Sequence, residues 1–194
     1  MNIKESLLES IAGKNRGLFV SETDKVNILS FVEQLEAQNP NPKPFEVKDL
    51  LDGDWRLLYT TSKSILGLNN IPLFQLGPIY QCIRISEQKI YNIAEIVGIP
   101  FLEGLVSVVA NLEVVSPIRV NVNFQRSIFG LQRFLGYLSP QDFIQKIEAS
   151  QKFLPFDLNI GDRPQKGWLE ITYLDQDLRI GRGNEGNVFV LSKK

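Results

Sequence analysis

The stretch GWLEITYLDQDLRIGRGNEGNVFVLS, Gly167 to Ser192, decides the fold. Three runs within it, GWLEITYL, LRIGR and NVFVLS, are rich in β-branched and aromatic residues, with a period near two. Asp175-Gln176-Asp177 joins the first run to the second. Aspartate favours turns by bonding its own backbone, so this DxD spacing reads as a hairpin turn and not as a metal site. In the next connection Gly183, Asn184 and Gly186 are expected to supply backbone with positive φ. Gly181 to Val188 also fits the glycine pattern GxGxxGxV. A dinucleotide loop, however, needs a helix and a parallel strand after it, and a kinase loop needs a lysine strand and a catalytic loop. Here the chain continues with NVFVLSKK, one more strand, so no nucleotide is expected.

The same period extends back to about residue 45 through DWRLLYTT, YQCIRIS, IYNIAEIV, LVSVVANLEVVS and IRVNVNFQRSI, which brings the candidate strands to eight. Their connections alternate in length. Glu87-Gln88, Ser116-Pro117 and Asp175-Gln176 are tight, whereas residues 63–77, 98–104 and 129–166 are long or apolar. In an up-and-down arrangement odd and even connections fall at opposite ends. The chain is therefore expected to be mainly β, an antiparallel up-and-down barrel with one closed end. Leu66, Leu68, Ile71, Phe74, Phe101, Leu102, Phe134 and Leu135 would ring its mouth. A sandwich would also accommodate eight strands.

Residues 1–44 differ in kind. Ile3, Leu7, Leu8 and Ile11 share one helical face, and Ile28, Phe31, Val32 and Leu35 share another. Ser21 to Asp24 forms a capping box for the second helix, and the prolines of NPNPKP end it. A helical hairpin with a Pro-rich linker thus precedes a barrel over residues 45–194, within one structural domain. One helix is inserted in the barrel, where Ser139-Pro140 starts a run with Phe143 and Ile147 one turn apart.

Composition narrows the function. The chain has 194 residues, a net charge of −1, no histidine and Cys82 as its single cysteine. Cys/His metal sites, histidine-based triads and intrachain disulfides are excluded. The balanced charge argues against nucleic acid. An enzymatic reading would fall to a buried carboxylate such as Glu95 or Glu113. No apolar run reaches the ~20 residues that cross a bilayer. The N-terminal stretch resembles neither a signal nor a transit peptide, so the protein is expected to act where it is made or in a trimmed form. Arg126 alternates in phase with Val120, Val122 and Phe124. It is therefore read on the apolar side of its strand, where a buried guanidinium needs a carboxylate or an anionic or polar headgroup. The alternative is that the strand ends or bulges after Phe124, or that a glutamate such as Glu95 or Glu113 satisfies it.

Two stretches carry a resemblance. LLDGDWRLLYTTS, Leu50 to Ser62, sets Gly53-Asp54-Trp55 where a lipocalin-type GxW motif opens a barrel. Gly167 to Leu191 combines an aspartate-rich turn with Arg179-x-x-Arg182-Gly183 and a phenylalanine strand. Together they resemble the plastid lipid-associated proteins, or fibrillins, of plants and cyanobacteria, with Gly181 in place of a small polar residue.

The resemblance implies a lipocalin-like barrel without catalytic residues or cofactor. It would bind a hydrophobic or isoprenoid lipid of the quinone, carotenoid or prenyl class. The setting it implies is a thylakoid membrane or lipid globule, in a cyanobacterium or a plastid, with a possible protein partner in isoprenoid metabolism. A coat or adaptor protein whose barrel is filled by its own side chains is the alternative. By the same analogy Trp55 lies at the closed end with the Arg179 guanidinium over its indole, and Gly53, Asp175, Asp177, Arg182, Gly183 and Gly186 are structural. Ligand contacts would come from Leu57, Tyr59, Phe124, Arg126 and Tyr173.

Overall fold

The computed structural model describes residues 2–67, 75–161 and 166–194. Leu68, Ile71 and Phe74 lie outside the described residues. Eight antiparallel strands close on themselves: β1 (Gly53–Thr60), β2 (Gln75–Arg84), β3 (Lys89–Val97), β4 (Gly104–Val114), β5 (Arg119–Leu131), β7 (Lys166–Leu174), β8 (Leu178–Gly183) and β9 (Val188–Lys193). Pairing of β1 with β9 and of β4 with β5 completes the ring, which rules out a sandwich. A ninth strand, β6 (Phe156–Asn159), pairs only with the outer half of β5. It lies in the long fifth connection, where its four residues carry too short an alternation to be read.

Both faces of the wall are buried. The lumen side holds the core of Trp55, Leu57, Ile83, Ile90, Leu112, Val120, Ile171 and Leu191. A one-turn helix, α3 (Lys48–Leu51), and a short 3-10 turn at Pro44–Glu46 plug its closed end with Leu51 and Phe45. On the outside, helices α1 (Ile3–Ile11) and α2 (Glu22–Glu36) lay Leu7, Ile28 and Val32 against Leu178, Ile180 and Val190. Full burial of each such side chain contributes roughly 1.5–3 kcal/mol. Ser21 caps α2, accepting a hydrogen bond from the Asp24 amide, and Asp24 accepts one from the Ser21 amide in return. The opposite outer face, built from Tyr80, Tyr91, Ile93, Leu105 and Ile128, is covered by Phe143, Ile144 and Ile147 of a helix at Pro140–Glu148.

One-residue bulges set which way the side chains point, and three of them bear on positions assigned to ligand contact. Ladder partners step from Leu57 and Leu191 to Tyr59 and Val190, so Leu58 is an extra residue in β1. The same happens in β7, between Ile171 and Tyr173, and in β5, between Phe124 and Arg126. A bulge adds one residue to a period of two and exchanges inside for outside in the rest of the strand. Leu57, Ile171 and Phe124 belong to the inner core, while Tyr59 and Tyr173 belong to the outer one.

Candidate functional site

The lumen above the floor is open. Its cavity has a volume of about 670 Å³, lined by Ile79, Ile90, Ala94, Val106, Val108, Val122, Phe124 and Leu169, with Gln81 and Asn92 as polar members of the wall. Toward the mouth its lining includes Ile65, Asn184, Asn187 and Phe189, from the first and seventh connections and the start of β9. Gly183 leaves room for this rim, because a Cβ there would stand 3.0 Å from Cε2 of Phe189. Its φ of −125° is ordinary, and Asn184 sits in a 3-10 turn; only Gly186 of the three takes a positive φ, +71°. The expectation of left-handed backbone at all three is corrected accordingly. The Asn184 side chain instead accepts a hydrogen bond from the Trp168 amide at 2.8 Å.

The floor is cationic and aromatic. The Trp55 indole donates to the Leu51 carbonyl at 2.9 Å, and the Arg179 guanidinium carbon lies 5.0 Å from the ring centroid. A cation in that position over tryptophan is worth about 0.5–2 kcal/mol. Arg179 is 0% exposed. One of its terminal nitrogens donates to the Gln81 side-chain oxygen, while Nε and Nη1 have no hydrogen-bond partner among the described residues. Burial pushes its pKa down to about 9, which leaves it charged at neutral pH. Three positions further along β8, Arg182 points outward. It grips Glu36 of α2 through two hydrogen bonds of 2.9 and 2.7 Å, so Arg-x-x-Arg serves both faces of one strand.

Of the five positions assigned to ligand contact, Phe124 lines the cavity. Leu57 packs in the inner core and is not part of the cavity lining. Tyr59 and Tyr173 do not face the lumen: the bulges turn them under α1 and α2. Tyr173 donates to Asp175 at 2.7 Å, and burial together with that bond raises its pKa. Arg126 also points outward, since Gln125 is the extra residue of β5. Its carboxylate partner is neither Glu95 nor Glu113 but Asp157, 31 positions on, held by two bonds of 2.8 Å. The Asp157 carboxyl accordingly sits below the usual carboxylate range. Glu95 accepts from the Tyr137 hydroxyl on the outer face, and Glu113 is exposed, so neither carboxylate lines the cavity.

Phe101 and Phe134 are 74% and 63% exposed beside the mouth, and Leu102 is partly exposed with them. Leu66 is half-buried and Leu135 fully buried. Leu135 is no rim residue: it anchors the insertion in the outer core with Phe143. Gln81 and Asn92 went unread in the sequence, because an amide at an inward position of an alternating strand looks like an outward polar residue. Asp175 forms the β7–β8 turn, its Oδ1 accepting from the Asp177 and Leu178 amides. Among the described residues no cluster of acidic and cysteine side chains suits a metal ion.

A closed eight-stranded meander with an apolar lumen and one open end is a lipocalin-like β-barrel. The chain belongs to the PAP_fibrillin family, which it matches over residues 1–192. It is 31% identical over 218 residues to the chromoplast-specific carotenoid-associated protein of Cucumis sativus, covering 99% of this chain and 67% of that protein. It is 34% identical over 219 residues to the chloroplastic light-induced protein of Solanum tuberosum, with the same coverage of 99% and 67%. Plastoglobulin-1 of Pisum sativum is 34% identical over 221 residues, covering 99% of this chain and 61% of the pea protein.

Proposed function

We propose that the barrel binds a hydrophobic or isoprenoid lipid in its lumen, without catalysing its conversion, and docks mouth-first on a lipid surface. The cavity carries this reading. Its volume of about 670 Å³ falls among small-molecule sites, which span roughly 300–1,000 Å³, and most of its wall is apolar. A coat protein with a barrel filled by its own side chains would leave no such space. The names of the cucumber and pea relatives, carotenoid-associated protein and plastoglobulin, support a lipid cargo and a plastid or thylakoid setting. No described helix is long and apolar enough to cross a membrane, and the exposed Phe101, Leu102 and Phe134 suit peripheral contact.

Organic extraction of freshly purified protein, coupled to mass spectrometry, tests the reading. A co-purifying quinone, carotenoid or prenyl lipid is the expected result. Titration of these classes should also change the emission of Trp168, which borders the cavity, and of Trp55 at its floor. An empty extract together with no fluorescence response to any of the three classes would sink it.

A further inference from the structure

Two amides, Gln81 and Asn92, interrupt the apolar wall of the inner part of the cavity, and Arg179 sets their orientation. Gln81 of β2 stands opposite both Trp55 and Asn92 in the ladders, so it sits immediately above the floor. A guanidinium carries only donors, and the Arg179 side chain reaches Gln81. The oxygen of Gln81 must therefore face Arg179, which leaves its nitrogen to donate to Asn92 Oδ1 at 3.0 Å. Asn92 has then spent its oxygen. Its Nδ2 has no hydrogen-bond partner among the described residues, and Asn92 lines the cavity among Ile79, Ile90, Ala94 and Val108. The charge buried behind the wall thus fixes both amides in one sense, through a chain of donors running Arg179, Gln81, Asn92.

We infer that the inner end of the cavity offers a hydrogen-bond donor and selects an elongated lipid whose leading end carries an acceptor oxygen of the carbonyl type. A pure hydrocarbon leaves the Asn92 N–H unpaired. A group that can only donate meets another donor. Unpaired polar groups in an apolar site are what make such sites selective, because the wrong partner strands a buried N–H. The inference rests on the proposed lumenal binding and adds the polarity of the ligand's buried end.

The test uses the full chain and three probes of equal chain length: an aliphatic methyl ketone, a primary alcohol and an alkane. Each is titrated by displacement of an environment-sensitive fluorescent hydrocarbon. In Asn92→Val the ketone-to-alkane affinity ratio should fall about three- to tenfold from its wild-type value, the worth of one neutral hydrogen bond. Gln81→Glu is the sharper variant. A carboxylate accepts from Arg179 and from Asn92 alike, which turns the Asn92 oxygen into the cavity. The ketone, an acceptor only, should then lose affinity relative to the alcohol by a similar factor, because the alcohol can donate instead. Ratios unchanged in both variants would overturn the inference while leaving lumenal binding in place. If one variant fails to fold, the other decides. Failure of the wild type to bind any probe, the alkane included, would overturn the inference and the carrier reading together.

Discussion

Asp175→Asn tests how the helical hairpin is fastened to the barrel. The two carboxylate oxygens divide their work: Oδ1 accepts from the Asp177 and Leu178 amides and shapes the turn, while Oδ2 accepts from Lys4 of α1 at 2.8 Å and from Tyr173 at 2.7 Å. Asparagine keeps an oxygen for the turn but sets an NH₂ against Lys4. Lost with it is one charge-assisted hydrogen bond, of about 1.5–3 kcal/mol in general. The side chains of Lys4 and Asp175 are 20% and 19% exposed, so solvent screens the pair only in part. A destabilisation of about 2 kcal/mol is expected, lowering Tm by about 4–8 °C for a chain of this size. The effect should depend on pH. Burial alone would raise the Asp175 carboxyl, but hydrogen bonds from Lys4, Tyr173 and the Asp177 amide outweigh it and hold its pKa well below the usual value. A depressed native pKa contributes stability that is complete above the unfolded value of about 3.9 and is lost as pH falls through the native one. Burial lowers the Lys4 pKa, yet its bonds to Asp175 and Asp177 raise it overall, so its share is lost only as pH rises past the ordinary lysine value. Denaturant melts of both proteins from about pH 7 down to pH 3 should therefore show a full gap at neutrality that narrows below about pH 4. A gap of constant size, or none, would refute the assignment of Asp175 as the charged clasp.

Two further substitutions separate stability from binding. Tyr59→Ala should destabilise the fold by about 3–5 kcal/mol in chemical melts yet leave lipid affinity of the surviving native protein unchanged, whereas Phe124→Ala should weaken binding at smaller structural cost. The paired change Phe101→Asp and Phe134→Asp should abolish co-flotation with liposomes while far-UV circular dichroism and Tm stay at wild-type values, since both rings are already exposed.

The eight barrel strands and the three longer helices were legible because period and composition change together at residue 45, and the tight turns carry their own chemistry. Facing was harder to read. Alternation places Trp55 and Leu57 inside, but continuing the count puts Tyr59 inside too, and a bulge at Leu58 reverses it. A bulge has no fixed residue signature: Leu58, Gln125 and Thr172 share no property that marks them. All three misplaced ligand positions, Tyr59, Arg126 and Tyr173, lie just beyond such an extra residue. Asp157 was invisible as the partner of Arg126, because only folding of the stretch between β5 and β6 brings them together. Arg179, by contrast, could be placed on Trp55 because motif and strand order both set them near the floor.

The double-sided wall has a consequence for how the molecule can meet a bilayer. A barrel that spans a membrane turns its outward apolar side chains to the acyl chains. Here much of that outward surface is already occupied, by α1 and α2 over β7, β8 and β9 and by the insertion over β2, β3, β4 and β5. A lipid surface would meet the ends of strands and not their flanks, with the long axis of the barrel standing upright on it. If the lumen binds lipid as proposed, cargo would pass between bilayer and lumen along that axis. The turn between α1 and α2, whose Arg16 carbonyl accepts from the Thr60 amide at the mouth end of β1, would lie level with the headgroups.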